Sequence, residues 1–141
     1  MKFLLSSQED LIHPIKFVRD KILHVSRGII PINGEMGAGK TTFISHLVKS
    51  FSEKTIVNSP TYNLIHEYRL PDERIFYHFD LYRVKSPEDA GVLGFEDIWG
   101  KKGISFIEWP GVGRAYYENV LLEINIQVLD DGKRMIEIKD P

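Results

Sequence analysis

Apolar and polar positions alternate with two different periods along this chain, and the switches between them outline an α/β fold. Leu11, Ile15, Val18, Ile22 and Leu23 recur at helical spacing behind Ser7, a capping residue, with Glu9 and Asp10 suited to a first turn. Pro14 interrupts that run, so the pattern predicts a short opening turn and a restart near Ile15. Ile29-Ile30-Pro31-Ile32-Asn33 then reads as a buried strand, and Thr42 to Lys49 as a helix ending near Phe51-Ser52. Thr55-Ile56-Val57 is a short β-branched run. Asn63 to Tyr68 and Arg74 to Asp80 alternate as two strands, and the Pro71-Asp72 turn between them predicts an antiparallel hairpin.

The carboxyl-terminal half continues in the same style. Ser86-Pro87-Glu88-Asp89 opens a helix with a cap and a proline at the first position, and Gly91 and Gly94 keep it short. Phe95 to Trp99 predicts one more helical turn, with Trp99 read as packing and Glu96 and Asp97 as a solvated face. Ile104-Ser105-Phe106-Ile107-Glu108 is nearly continuously apolar, as a buried central strand is, and stops at a carboxylate. Residues 111–118 predict a short helix. Val120 to Val128 and Arg134 to Ile138 alternate around Asp130-Asp131-Gly132, a terminal hairpin expected to close the sheet edge. No chemistry is read in that hairpin.

Composition narrows the class. The chain has 141 residues, 43% of them hydrophobic, which predicts a single domain over 1–141, large enough to bury about two thirds of its unfolded surface. Eighteen basic and twenty acidic residues leave a net charge of -2, and no run of five like charges occurs, so an extended nucleic-acid surface is not indicated. Cysteine is absent, excluding disulfides, thiolate metal sites and a thiol nucleophile. None of the five histidines sits at ligand spacing with another, which argues against a zinc hydrolase. No apolar stretch approaches the roughly 20 residues that cross a bilayer, and the apolar run after Met1 is too short for a secretory signal. A cytoplasmic protein is expected.

Candidate chemistry centres on Gly34-Glu35-Met36-Gly37-Ala38-Gly39-Lys40-Thr41-Thr42, set between the strand and the helix. This is the phosphate-binding loop pattern in its required context. Glycines let successive N–H groups curl inward, the following helix turns its positive end to the same phosphates, Lys40 adds a point charge, and the Thr41 hydroxyl is a Mg²⁺ ligand. A nucleoside triphosphate is the ligand this implies. Glu108 stands where a Walker B carboxylate would, at the carboxyl end of a buried strand, for a role with Mg²⁺ or water. Trp109 either belongs to the core or lies against the nucleotide. Asp80 ends another strand and either serves metal and water or caps the next turn. Asn58-Ser59-Pro60-Thr61-Tyr62 is either a plain connection or a switch segment presenting Thr61 to the γ-phosphate. Arg114 reads as a solvated arginine rather than a phosphate contact, and no arginine finger is visible.

In their order, GEMGAGKTTF, SPTYNLIHEY, YHFDLYRV, GFEDIW and ISFIEWPG resemble the TsaE (YjeE) family of small bacterial P-loop ATPases, over about residues 29 to 114. The resemblance implies a three-layer fold with a central mixed, mostly parallel sheet and antiparallel strands at its flanks. It also implies binding of ATP with Mg²⁺, ATP hydrolysis, and partnership with TsaD and TsaB. That complex places a threonylcarbamoyl group on the adenosine beside a tRNA anticodon, so tRNA would be met only indirectly. With no arginine finger visible, the isolated protein is expected to hydrolyse ATP slowly and to be stimulated by its partners. Under this resemblance Lys40, Thr41 and Thr61 match the loop lysine, the metal ligand and the switch threonine, Asp80 matches the acid of the His-x-Asp-x-Tyr-Arg motif, and Glu108 with Trp109 matches the Walker B-like pair. Glu108 is favoured for the metal and Asp80 for the second shell or the water. Two departures stand out: Pro14 with bulky neighbours in the first helix, and Gly111-Val112-Gly113 where a charged pair is usual. A small-molecule P-loop kinase is the first alternative, though it needs an arginine-rich lid and a longer chain. A GTP-dependent switch is the second, though no Asn-Lys-x-Asp motif is present.

Overall fold

In the computed structural model, which describes residues 1–52, 56–58 and 64–141, one mixed sheet runs through the molecule. Its strands are β1 (Lys2–Leu5), β2 (Gly28–Gly34), β3 (Ile56–Asn58), β4 (Ile65–Arg69), β5 (Ile75–Asp80), β6 (Ile104–Glu108), β7 (Glu123–Val128) and β8 (Arg134–Lys139). Among the described residues they lie in the order β1-β8-β7-β2-β6-β5-β4-β3. The four middle strands, β7, β2, β6 and β5, pair in parallel, and both flanks are antiparallel.

Strand alternation divides the core between the two faces. Ile30, Ile32, Phe76, Ile104, Phe106, Ile124 and Ile126 meet helices α1 (Ile12–Ile22) and α2 (Lys40–Phe51) on one side. On the other, Ile29, Tyr77, Phe79 and Ile107 pack with α3 (Pro87–Val92), Phe95, Trp99 and Tyr117. The result is the expected three layers. Phe76 bridges an edge-on Phe106 at 5.6 Å and Phe51 of α2 at 5.1 Å, so aromatic packing ties the helix layer to the sheet centre.

Local chemistry accounts for the element ends. At the amino terminus a 3₁₀ turn (Gln8–Leu11) runs into α1, and Asp10 Oδ2 accepts from the N–H groups of Ser6 and Ser7 at 2.9 and 3.2 Å. Pro14 therefore falls in the first turn of α1 rather than breaking it, where its missing N–H has no partner to lose. Ser86 Oγ accepts from Asp89 N at 3.1 Å and caps α3 as the sequence predicts. Trp99 is 2% exposed, in agreement with its reading as packing.

The carboxyl-terminal region differs from expectation in two respects. Residues 110–116 form a 3₁₀ helix, and the terminal hairpin is not the sheet edge. β7 is drawn into the parallel centre beside β2, and β8 is covered by β1, a strand the sequence reading left out. Four residues carry too short an alternation to declare themselves; β1 exists because β8 offers it a ladder of unpaired backbone groups.

Candidate functional site

The loop between β2 and α2 leaves the carboxyl end of the central strand, where ligands collect in open α/β sheets. Its shape requires glycine. Gly37 and Gly39 have φ of +79° and +108°, and a Cβ on Gly34 would lie 2.8 Å from the Ile126 carbonyl oxygen. A Cβ on Gly37 would instead meet nothing within 4 Å. Ala38 N donates to Glu35 O and Phe43 N to Gly39 O, closing the loop onto the first turn of α2. The side chains of Glu35, Met36 and Thr42 are exposed, so these residues offer the loop backbone rather than a packed side chain.

Among the described residues four polar or charged side chains are buried: Lys40, His78, Ser105 and Glu108. Three of them surround the loop. Lys40 Nζ donates to Gly34 O, and to Glu35 O at 3.3 Å, and lies 3.9 Å from the centre of the Trp109 ring. Trp109 has a left-handed φ of 55°, leans on Tyr82 at 5.2 Å and packs, partly buried, against the core cluster on the α3 side of the sheet while its ring also meets Lys40. Burial pushes the Lys40 ammonium below its ordinary range, and the charges of Glu108 and Asp80 offset part of that effect.

Glu108 is 3% exposed. Its Oε2 accepts from Thr41 Oγ1 at 2.7 Å and contacts His78 Nε2. Burial alone raises a carboxyl; here the hydrogen bonds from His78 and Thr41, with the charges of His78 and Lys40, outweigh it and hold Glu108 below the usual range. Parallel pairing explains how Asp80 joins the group, because β5 and β6 set Asp80 opposite Glu108. Its Oδ1 accepts from Tyr82 N at 3.0 Å, so it does cap the next turn while standing beside the buried carboxylate. Thr61 lies outside the described residues. Arg114 is turned away and pairs with Glu123 at 3.6 Å.

Two residues were missed by sequence reasoning. His78 had a signal: with period 2, Phe76, His78 and Asp80 share the face that looks at α2. Arg134 had none, since only the β1-β8-β7 arrangement carries it to the loop, where Nη2 donates to Gly37 O at 3.4 Å. Beside it a cavity of about 250 Å³ opens from the loop, walled by Leu5, Leu11, Ile126 and Ile136 and reached by Ser7 and Thr42.

Thr41 and Glu108 together offer hard oxygen donors of the type Mg²⁺ takes. Among the described residues no group of three or more His, Asp or Glu could cage a metal by itself.

Comparison with known proteins places the chain in a family. A Rickettsia typhi protein named tRNA threonylcarbamoyladenosine biosynthesis protein TsaE is 42% identical over 112 residues, 79% of this chain and 76% of its own. A Haemophilus influenzae protein of the same name is 35% identical over 114 residues, 80% of this chain and 72% of its own. The crystal structure of Bacillus subtilis YdiB superimposes with a TM-score of 0.73, covering 99% of this chain and 84% of that one at 22% identity, and so supports the fold. The profile of the family described as "Threonylcarbamoyl adenosine biosynthesis protein TsaE" matches residues 7–136, and this chain belongs to that TsaE family.

Proposed function

We propose that this protein binds ATP with Mg²⁺ and hydrolyses it in support of a TsaD/TsaB complex that forms threonylcarbamoyladenosine next to the anticodon of tRNA. It does so in the cytoplasm, through one P-loop ATPase domain spanning the chain. One observation carries the reading: Lys40, Thr41 and Glu108 converge at the mouth of a loop whose backbone only glycine can adopt. No helix among the described residues is long and apolar enough to cross a membrane.

The loop amides from Gly37 to Thr41 and the Lys40 ammonium bind the phosphates. Lys40 gives up the Gly34 and Glu35 carbonyls for phosphate oxygens, a favourable exchange because a phosphate carries full charge. The cavity beside Arg134, walled by apolar and polar residues alike, suits the nucleoside end, and Trp109 lies over Lys40. Thr41 and Glu108 would hold Mg²⁺, which would supply positive charge to neutralise what develops on the phosphates. Asp80 orients a water that attacks the γ-phosphorus in line while the bond to the bridging oxygen breaks. Arg134 at the loop already donates to Gly37 O, and the sequence offers no evident arginine finger, so the isolated protein is expected to turn over slowly and to need its partners.

ATP hydrolysis by the purified chain, alone and with TsaD, TsaB and substrate tRNA, tests this reading. Slow turnover that rises on adding the partners is expected. Rapid turnover that ignores them would refute the supporting role.

A further inference from the structure

His78 is buried, with 5% of its surface exposed, and takes no part in the chemistry just described. It lies on β5, opposite Phe106 of β6, and faces Glu108, two residues further along that strand. On its other side is His66 of β4, its register partner, with ring centres 5.8 Å apart. The ring is thus held between two strands of a hydrogen-bonded sheet. Glu108, in contrast, is the last residue of its strand and carries a side chain with three rotatable bonds.

Donor and acceptor roles follow from chemistry. An ionised carboxylate only accepts, so the His78 nitrogen facing Oε2 must carry the hydrogen. Oε2 therefore receives both His78 and Thr41, and the lone pairs of Oε1 remain uncommitted among the described hydrogen bonds. A glutamate without the histidine would retain the hydroxyl as an anchor. That hydroxyl sits on the same residue that must also face the metal.

We propose that His78 is a positioning residue: its Nε2–H, together with the Thr41 hydroxyl, pins Oε2 of Glu108 and so fixes the carboxylate beside the first residues of α2 with Oε1 left uncommitted, setting the affinity for a divalent cation. This rests on the Mg²⁺-nucleotide reading of the site. Outer-shell partners of metal ligands typically contribute 10- to 100-fold in metal affinity or activity.

The test compares His78→Phe, which keeps a ring but has no donor, with His78→Gln, whose amide nitrogen reaches about as far as Nε2. Each is titrated with Mg²⁺ while binding of a fluorescent ATP analogue is followed, and each is also assayed with EDTA and by thermal melting. The expected result is a Mg²⁺ midpoint raised about 10- to 100-fold in the Phe variant. Metal-free nucleotide binding is unchanged, and the Gln variant recovers most of the midpoint. Midpoints equal to wild type in both variants, or a Gln variant as poor as Phe, overturn the proposal, whatever happens to the melting temperature. Should the Phe variant not fold, His78→Asn replaces it, since its amide stops one carbon short; equal midpoints for Asn and Gln overturn the proposal. A wild-type protein whose nucleotide binding ignores Mg²⁺ refutes the site reading itself, and this inference with it.

Discussion

Replacing Glu108 by glutamine changes little in size and removes the one buried negative charge beside the loop among the described residues. In the native protein Oε2 receives hydrogen bonds from Thr41 and His78, and the charge faces Lys40. Hydrogen bonds to charged groups are each worth about 1.5–3 kcal/mol net, and a neutral amide forfeits much of that. The amide also presents N–H groups where a divalent ion needs oxygen. A loss of about 2.7 kcal/mol from transition-state binding corresponds to about 10²-fold in rate, at 1.36 kcal/mol per decade. Single-turnover hydrolysis with saturating ATP and the partner proteins present is the appropriate assay, because it excludes product release. Nucleotide binding in EDTA should be nearly unchanged, since on the proposed reading the loop amides and Lys40 would supply it. A glutamine variant that hydrolyses ATP at the wild-type rate would remove Glu108 from the reaction.

Other consequences follow from the same contacts. Lys40→Ala should abolish nucleotide binding or turnover, measured by calorimetry, while leaving the fold intact by circular dichroism. Gly39→Ala forces a side chain into a φ of +108°, at a cost of at least about 1–2 kcal/mol, and should lower the melting temperature and distort the loop. Because the folded-state carboxyl of Glu108 lies below its ordinary 4.5, its contribution to stability is present above that pH and fades as the pH drops further. Glu108→Gln should accordingly lower the melting temperature of the metal-free protein at pH 7, by an amount that shrinks toward pH 3.5; a gap independent of pH would contradict the assignment. Arg74 donates to the carbonyls of Ile22 and Val25 and to Asp72 while lying over Phe51 and Phe76, so Arg74→Met should release the end of α1 by about 1–3 kcal/mol, detected by urea unfolding.

The middle of the molecule was legible because its signals are local. A buried strand with no polar break, a glycine-rich loop and a capped helix each announce themselves within a dozen residues, and β2, α2, β6 and α3 lie where the pattern puts them. A nearly continuous apolar run stopping at a carboxylate placed Glu108 at a strand end correctly. What escaped depends on pairing between distant segments. β1 became a strand only through β8, and Arg134 reached the loop only because β7 and β8 fold back beside β2. His78 falls between these cases: the alternation that shows its face is local, but the contact with Glu108 needs the parallel register of β5 and β6. A histidine in an apolar strand says nothing by itself about what it holds.

A crystal grown with Mg²⁺ and a non-hydrolysable ATP analogue tests the site most directly. The triphosphate should lie in the cradle of Gly37 to Thr41 against Lys40, with the metal about 2.1 Å from Thr41 Oγ1 and joined to Glu108 directly or through one water. Phosphates bound elsewhere, or a metal remote from both side chains, would contradict the account.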